Sequence, residues 1–344
     1  LNERKHDHLR ILADDPDSDR RKFYFDEIRL KHRALPGIDL ASVDTQTEFM
    51  GKTLSFPLMI SCMTGGVGDD LRRINRNLAI AAEATGVAMG LGSQRIMLAD
   101  GAASSSFRLR PFAPHALLLG NLGAVQLNNG ITPADCKKLV DETGVDALYL
   151  HLNPLQEAVQ PEGDTDFRNL AERIGEVVDA LDVPVIVKEV GAGIGPEDAE
   201  KLISAGVRFI DVAGAGGTSW SRIESHRDQT DCSPGILFQD WGLPTPDALR
   251  LLHPYRTQVT LVASGGIRSG IDMAKAMILG ASLCGIARPF IDHAMESPES
   301  VIGFIKSLQN QFKTAMFLLG IEKVSELVDN PALILDTLHH KVLS

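Results

Sequence analysis

Residues 260–291 read TLVASGGIRSGIDMAKAMILGASLCGIARPFI, and their pattern is the strongest indication of the fold. An apolar run at residues 261–263 leads into Ser264-Gly265-Gly266, residues 271–278 have the spacing of a helix, and a second apolar run follows. The pattern predicts a strand, a crossover helix and a second, parallel strand. Because glycine has no Cβ, the backbone N–H groups after the first strand can converge on an anion.

The second strand of this stretch ends at Ala287-Arg288, where another loop can complete an anion site. In a barrel of eight strand and helix units, phosphates are held by the loops after strands seven and eight. The stretch therefore predicts a phosphate site before it predicts any reaction.

Similar units recur along the chain. Apolar, β-rich runs lie at residues 56–63, 87–93, 116–122, 147–153, 184–190, 209–213, 260–263 and 283–287. Four of them follow a glycine that is well placed to end the preceding helix in a left-handed turn, namely Gly86, Gly144, Gly206 and Gly280. Eight units at a spacing of roughly thirty residues predict an α/β protein of the (β/α)8 TIM-barrel class. A doubly wound open sheet is the rival, but it would not need eight units.

The barrel is expected to span residues 56–344, with C-terminal helices at 301–319 and 324–338. In the preceding extension, residues 1–55, we expect a helix around 23–33 and a hairpin that turns at Gly51 and covers one end of the barrel. Thr132-Pro133 and Thr245-Pro246 predict helix starts with a capping threonine. Residues 214–245 form a stretch rich in Gly, Ser and Pro, and connections of that length are usually functional.

Composition argues against several classes of protein. The net charge of −11 argues against a nucleic-acid-binding surface. No apolar run approaches the roughly 20 residues of a membrane helix, and the start, LNERKHDHLR, lacks the apolar core of a signal peptide, so a cytoplasmic location is expected. The cysteines have no CxxC spacing, which argues against a disulfide framework or structural zinc and favours buried small hydrophobes: Cys62, Cys136, Cys232 and Cys284.

Nearly every strand ends in a small or hydrogen-bonding residue, a ring that suits a flat polar heterocycle. With a phosphate site beside it, flavin mononucleotide (FMN) meets both demands. Lys188 ends strand five and points into the barrel mouth. It could form a Schiff base, place positive charge beside the N1 edge of a flavin, or form a structural ion pair. The phosphate site favours the flavin role.

Strand four ends at His151 and Asn153, followed by Gln156-Glu157. A histidine at a barrel mouth can act as an acid, a base or a phosphate donor, although a lone histidine is more often a core residue. Glu157 is a candidate Mg²⁺ ligand, because this ion is commonly bound by one or two carboxylates with substrate phosphates; an exposed surface glutamate is the alternative. The terminal cluster Arg4-Lys5-His6-Asp7-His8 would supply cations for a diphosphate if it folds over a barrel mouth, and is otherwise a solvated terminus.

Together these residues resemble the type 2 isopentenyl-diphosphate isomerases, a family of FMN-dependent enzymes. The resemblance covers almost the whole chain, and its specificity lies in the order of the motifs rather than in any one of them. The motifs are Arg4-Lys5 with His8, Met63-Thr64-Gly65-Gly66, Gly92-Ser93-Gln94-Arg95, Gly120-Asn121, His151-Leu152-Asn153 with Gln156-Glu157, Lys188-Glu189, Gly216-Gly217-Thr218 with Trp220, Asp240-Trp241-Gly242 and Gly265-Gly266-Ile267-Arg268.

The resemblance implies an isomerase of isoprene biosynthesis that interconverts isopentenyl and dimethylallyl diphosphate by a 1,3-allylic proton shift. Reduced FMN would act as acid and base, with NADPH as its reductant and Mg²⁺ as the metal ion. A homo-oligomer between a dimer and an octamer is also expected.

The implied FMN-binding residues are Met63, Thr64, Gly65, Ser93, Asn121, Lys188, Thr218, Gly266, Ile267, Arg268, Ala287 and Arg288. The implied substrate-binding residues are Arg4, Lys5, Ser93, Gln94, Arg95, His151, Asn153 and Gln156. The implied catalytic residues are Gln156, His151 and Lys188, with Glu157 binding Mg²⁺.

Three other functions fit the same barrel. FMN-dependent α-hydroxy acid oxidoreductases resemble this chain in the strand-five lysine and the phosphate segment, but they carry a His-Gly-Gly-Arg run after strand six, which is absent here. Inosine-monophosphate dehydrogenases share the phosphate segment and carry a nucleophilic cysteine after strand six; Cys232 lies in that region without the family's flanking residues. A flavin-storage protein would not need the Arg4-Lys5 and Gln156-Glu157 sets.

Overall fold

The computed structural model describes residues 7–8, 10–12, 14–20, 24–63, 68–99, 101–227 and 234–335. Within them, eight parallel strands close into a barrel in chain order, and the last strand pairs with the first. The strands are β3 (Leu58–Ile60), β4 (Ala88–Gly90), β5 (Leu118–Gly123), β6 (Ala147–His151), β7 (Val185–Lys188), β8 (Phe209–Asp211), β9 (Thr260–Ser264) and β10 (Ala281–Ile286). Each overlaps one of the predicted runs, so the predicted TIM barrel is confirmed.

Helices surround the strands and cover their outer faces. Their bounds are Asp69–Thr85, Arg95–Ala99, Pro133–Thr143, Pro154–Val159, Leu170–Ala180, Pro196–Ser204, Trp220–Arg227, Thr245–Leu252, Gly270–Ile278, Pro289–Glu296, Pro298–Leu319 and Val324–Leu327. The predicted left-handed turns are confirmed by positive φ angles of 65°, 63°, 89° and 100° at Gly86, Gly144, Gly206 and Gly280. None of the helices in the described ranges is both long and apolar enough to cross a bilayer.

Side chains of the strands alternate between two apolar clusters. In β7, Val187 packs in the outer cluster between strands and helices, whereas Ile186 packs in the inner cluster inside the barrel. Since successive residues of a strand point to opposite faces, Lys188 points inward. The same alternation turns His151 of β6 and Asp211 of β8 into the barrel. The two-residue alternation of the strands thus places these polar side chains at one end of the barrel interior.

An antiparallel hairpin covers the opposite end of the barrel. It consists of β1 (Thr47–Phe49) and β2 (Lys52–Leu54), and both Phe49 and Leu54 pack in the inner apolar cluster. Lys52 Nζ lies 2.9 Å from Asp146 Oδ1, directly before β6. The predicted hairpin is confirmed, while the boundary between extension and barrel at residues 55 and 56 stays a prediction.

Two predicted helices are wrong in extent. Within the described part of the first, residues 24–33, only Phe25–Glu27 form a 3-10 turn. The chain then runs extended because it pairs with a distant segment: the Lys31 N–H donates to the Leu333 carbonyl at 2.8 Å. Within the described part of the second, residues 324–335, the helix spans only Val324–Leu327 and is followed by a 3-10 turn at Pro331–Leu333. Local periodicity could not reveal this pairing between the two ends of the chain.

The two threonines predicted as helix caps behave differently. Thr132 caps its helix in a reciprocal arrangement with Asp135, as predicted. Thr245 is instead the first residue of its helix, and its hydroxyl donates to the carbonyl oxygens of Ser264 at 2.9 Å and Gly265 at 2.7 Å. Thr245 therefore supports the loop after β9 rather than the helix.

Candidate active site

A deep cleft opens at the C-terminal ends of the barrel strands, with an empty volume of about 1530 Å³ that includes its open mouth. Most of the predicted ligand-binding residues line it: Met63, Ser93, Arg95, Asn121, His151, Asn153, Gln156, Glu157, Lys188, Thr218, Gly266, Arg268, Ala287 and Arg288. Gln94 and Ile267 are buried outside this lining. Arg4, Lys5, Thr64 and Gly65 lie outside the described residues.

The loops after β9 and β10 form an anion site that we call the phosphate cup (residues 264–268 and 287–288). Gly265 has a φ of 92°, and a Cβ there would collide with the Gly214 carbonyl oxygen. A Cβ on Gly217 would lie 3.0 Å from the Gly266 nitrogen. Glycine is therefore required for these backbones to approach each other and to leave room for a ligand.

Two arginines complete the phosphate cup. Arg268 pairs with Asp19, and Arg288 donates to Asp292 at 3.1 Å and to the Leu12 carbonyl at 3.3 Å. Burial lowers the pKa of the Arg268 guanidinium, and the carboxylate of Asp19 acts in the opposite direction. Backbone amides beside two guanidinium groups are a donor set that suits a phosphate monoester, so the cup fits the phosphate of FMN.

Lys188 is a buried cation on the inner face of the barrel. Its Nζ lies 5.9 Å from the centroid of the Tyr149 ring, and no ion pair among the described residues joins a carboxylate directly to it. Among the described residues, Lys188 is therefore not held by a direct ion pair, although the carboxylates of Asp211 and Glu189 are close enough to feel its charge. Burial raises the pKa of the neighbouring Asp211, Glu189 and Cys62, and the charge of Lys188 lowers it in each case.

Next to Lys188 in the sheet, His151 is oriented by a chain of hydrogen bonds. Its Nδ1 lies 2.7 Å from Asn121 Oδ1. The Asn121 N–H donates to Gln94 Oε1, and the Gln94 N–H donates to the Asn121 carbonyl, both at 2.8 Å. Gln94 is fully buried. Its position does not support the implied substrate contact, because the side chain is committed to holding Asn121.

A second polar group, which we call the acid–amide cluster (His8, Gln156, Glu157 and Glu224), lies across the mouth. The Gln156 amide donates to Glu224 Oε1 at 2.7 Å, and His8 Nε2 lies 3.0 Å from the same oxygen. Arg227 pairs with the other oxygen at 2.5 Å. Burial acts to raise the pKa of Glu224, but His8, Gln156 and Arg227 outweigh it and lower the pKa to about 2. Glu224 is therefore ionised at neutral pH, where it orients Gln156.

Glu157 is 6% exposed, so the alternative of an exposed surface glutamate is wrong. Its carboxylate accepts hydrogen bonds from the Asn153 amide at 2.8 Å, from the Asp164 N–H at 2.7 Å and from the Gln160 amide. In the described part of the chain, no group of three or more His, Cys, Asp or Glu side chains could enclose a metal ion. An ion bound at Glu157 would take its other ligands from water, amide oxygens or the oxygens of a substrate.

The N-terminal strap, meaning the described residues between 7 and 20, docks on the mouth of its own barrel. Asp15 Oδ2 pairs with Arg222 at 2.6 Å, and Arg20 Nη2 donates to the Gly191 carbonyl at 2.8 Å. Leu12 packs with Ile291 in a small apolar cluster. Arg4 and Lys5, which are predicted to bind a diphosphate, lie outside the described residues.

Sequence reasoning missed three charged residues of this site: Asp19, Asp211 and Glu224. Glu224 and His8 are 216 positions apart, and Arg268 and Asp19 are 249 apart. No fixed spacing in the sequence predicts such contacts. For Asp211 a signal did exist, since a carboxylate at the end of an otherwise apolar strand is unusual.

The cysteines follow their expectation in part. Cys136 and Cys284 are buried, and burial raises the pKa of the Cys136 thiol to about 12. Cys62 lines the cleft, where burial raises its pKa to about 11. These thiols are poor nucleophiles at neutral pH. Cys232 lies outside the described residues.

Comparison with known proteins gives this site its family. The model of the FMN-dependent dehydrogenases matches residues 1–108 and 125–334. The isopentenyl-diphosphate delta-isomerase of Paracoccus zeaxanthinifaciens is 53% identical over 336 residues, which cover 96% of this chain and 96% of that protein. The protein of the same name from Hydrogenovibrio crunogenus is 50% identical, covering 97% and 98%.

Among solved structures, a flavocytochrome b2 variant aligns with a TM-score of 0.67 at 21% identity, covering 94% of this chain and 80% of that one. A mandelate oxidase variant with an FMN adduct aligns with a TM-score of 0.60 at 20% identity, covering 90% and 88%. These likenesses show the fold. The sequence identity to the isomerases is far higher and extends over nearly the full length of both chains. The chain belongs to the isopentenyl-diphosphate delta-isomerase family, within the larger group that shares the barrel of the FMN-dependent dehydrogenases.

Proposed function

We propose that this protein interconverts isopentenyl diphosphate and dimethylallyl diphosphate by moving a proton across the allyl system, with FMN in its reduced form. The observation that carries the proposal is a single cleft that combines the phosphate cup, the buried ammonium of Lys188 and the acid–amide cluster. A flavin-storage site would need only the first two. The names and the high identity of the isomerase relatives support the same reaction.

The chemistry explains why a flavin is useful here. An isolated alkene is a very weak base, and its protonation develops positive charge on a tertiary carbon. When bound and reduced, FMN supplies both an acid–base group and a negatively charged ring close to that carbon. The phosphate cup would hold the phosphate group, and Lys188 would place its positive charge beside the polar edge of the ring.

The remaining residues would hold the substrate. Gln156 would lie near the reacting carbons, and because a carboxamide is not a proton acid at neutral pH, its role is to orient rather than to protonate. Its hydrogen bond to Glu224 fixes that orientation. Arg95, His151 and Asn153 line the same cleft and would bind the diphosphate.

Further parts of the proposal concern Mg²⁺, NADPH and assembly. Mg²⁺ would bind between Glu157 and the oxygens of the diphosphate, since one carboxylate with substrate phosphates is a common Mg²⁺ site. NADPH would reduce the flavin from solution, because the sequence contains no nicotinamide-binding fingerprint. A homo-oligomer stays a prediction from the sequence, which light scattering on the purified protein would test.

The second candidate is oxidation of an α-hydroxy acid, which the names of the structural neighbours suggest for those proteins. Such oxidation requires a base that takes the proton from the carbon next to the carboxylate. After β8 this chain reads Gly214-Ala215-Gly216-Gly217-Thr218-Ser219-Trp220. The nearest following histidine, His226, lies 2.7 Å from Asp15 and does not line the cleft. This arrangement favours the isomerase.

The test is an anaerobic assay on the purified protein loaded with FMN and reduced with dithionite. We expect dimethylallyl diphosphate to form from isopentenyl diphosphate, as followed by proton NMR, with no net oxidation of the flavin. Oxidised holoprotein offered lactate or mandelate should keep its flavin absorbance. Bleaching by these acids together with no isomerisation would replace the proposal with the oxidoreductase.

A further inference from the structure

Asp211 is a buried carboxylate on the inner face of β8 that the proposed reaction does not yet use. It is 0% exposed and lies in register with Lys188 of the neighbouring strand. Ser264 donates to its Oδ1 at 2.7 Å, the Ala213 N–H donates to the same oxygen at 3.2 Å, and the Tyr149 hydroxyl donates to Oδ2 at 3.3 Å. The side chain therefore links β6, β8 and β9 beneath the cleft.

The three hydrogen bonds point to an ionised carboxylate. A backbone N–H can only donate, and the two hydroxyl groups are placed to donate as well. Burial raises the pKa of Asp211, while the charge of Lys188 and the hydrogen bonds from Ser264, Ala213 and Tyr149 lower it. A buried carboxylate that remains ionised needs a positive charge close by.

Lys188 is the cation available for this purpose. Tyr149 connects the two groups, because its hydroxyl bonds to Asp211 while Lys188 Nζ lies 5.9 Å from its ring centroid. The other carboxylate near Lys188 is Glu189, and it is committed elsewhere: its Oε2 accepts the N–H groups of the three following residues at 2.6, 2.7 and 2.5 Å. Asp211 is thus the counter-charge inside the barrel.

We propose that Asp211 is a positioning residue whose charge holds the Lys188 ammonium in place beneath the cleft, and that it thereby sets how strongly the cleft prefers reduced, anionic FMN over oxidised FMN. A buried ammonium is stable only near a compensating negative charge. An ammonium that moves away from this place would no longer favour an anionic ring. The inference deepens the proposed function and rests on FMN binding in the cleft.

The substitution Asp211→Asn separates charge from hydrogen bonding. Asparagine keeps an oxygen that can accept from Ser264 and Ala213, but it removes the negative charge. Lys188→Met removes the positive charge directly. Tyr149→Phe is the matched control, because it removes one hydrogen bond to Asp211 and leaves both charges in place.

The measurement is the ratio of the dissociation constants for oxidised and reduced FMN, obtained by anaerobic titration of the apoprotein. We expect this preference for reduced FMN to fall by about tenfold or more in Asp211→Asn and in Lys188→Met, since tenfold corresponds to only about 1.4 kcal/mol. In Tyr149→Phe it should stay within about threefold of the wild-type value. The double variant should fall no further than Lys188→Met alone, because no ammonium is left for Asp211 to hold.

An unchanged ratio in Asp211→Asn would overturn the inference, and so would a double variant that falls well below Lys188→Met. If the single variant Asp211→Asn does not fold, the double variant compared with Lys188→Met still decides, since it leaves neither buried charge unpaired. Failure of the proposed function looks different: the wild-type protein would then bind no FMN, or would bind it and not isomerise isopentenyl diphosphate.

Discussion

The phosphate cup and the acid–amide cluster face the same cleft, but they are built in different ways. The cup consists of backbone N–H groups and two arginines that all lie within one continuous stretch, residues 264–288. Its shape depends on glycine, because a side chain at Gly265 would collide with the neighbouring backbone. The cluster brings together His8, Gln156, Glu157 and Glu224 from three distant segments through side-chain hydrogen bonds. The residues of the phosphate cup are therefore close together in the sequence, whereas those of the acid–amide cluster meet only through the fold of the whole chain.

Closing the cup should have the largest effect. Gly265→Ala places a Cβ against the Gly214 carbonyl at a φ of 92°, where an alanine is strained. We expect FMN affinity to fall by about 100-fold or more, as a clash of a few kcal/mol would cause. Fluorescence titration of the apoprotein with FMN measures this. Gly303→Ala is the control, since nothing lies within 4 Å of its Cβ position and FMN binding should not change.

Removing the negative charge of the acid–amide cluster should instead reduce the turnover number and leave FMN affinity nearly unchanged. In Glu224→Gln the anion that holds Gln156, His8 and Arg227 is lost. We expect kcat for isomerisation to drop by about 10- to 100-fold, the range of a lost charged hydrogen bond, with FMN affinity within about threefold.

The matched control for Glu224→Gln is Glu162→Gln, which removes the exposed partner that binds Arg227 at 2.7 Å. Its kcat should stay near the wild-type value. Equal losses of FMN affinity and turnover in Glu224→Gln would show that the cup and the cluster are not separable.

A smaller effect should follow from Thr245→Val. This change keeps the shape of the side chain but removes the hydroxyl that donates to Ser264 and Gly265 from behind the cup. The hydroxyl has one proton, which the two carbonyls share, so its loss should cost about 1 kcal/mol and weaken FMN binding by about three- to tenfold. Riboflavin, which lacks the phosphate, should be affected less than FMN in the same titration. Equal losses of affinity for FMN and riboflavin would show that Thr245 does not support the phosphate cup.

Acid should weaken the attachment of the N-terminal strap, because His8 of the strap binds Glu224. The pKa of Glu224 is lowered to about 2 from an ordinary value of 4.5, so its contribution to stability is complete above pH 4.5 and is lost as the pH falls towards 2. Wild type should therefore have a Tm a few degrees above that of Glu224→Gln at pH 6. The difference should shrink below pH 4.5. A difference that does not change with pH would contradict the assignment.

The sequence predicted the parts of the molecule that depend on short-range rules. Lys188 and His151 were found because a strand alternates its faces and the ends of parallel strands meet at one mouth. Gly265 and Gly266 were found because glycine runs at strand ends form anion sites. The eight strands followed from apolar runs at regular spacing.

The features that the sequence does not predict depend on contacts between distant segments of the chain. Residues 28–33 were expected to be helical, but they run extended because they pair with residues 333–335. The substrate contact that the resemblance implies for Gln94 stays a prediction; its fully buried side chain accepts the Asn121 N–H, a contact that the sequence does not indicate. Glu224 lies in a stretch rich in Gly, Ser and Pro that gave no reason to single out one carboxylate. Hydrogen-bond partners more than 200 positions away cannot be inferred from one sequence.

The most direct test of the account compares two preparations of the same apoprotein, one loaded with FMN and one with 5-deaza-FMN, which lacks the N5 nitrogen. Both are reduced anaerobically and given isopentenyl diphosphate. We expect similar binding of both cofactors, with dimethylallyl diphosphate formed only by the FMN preparation. Full turnover with 5-deaza-FMN, or with no flavin at all, would contradict it.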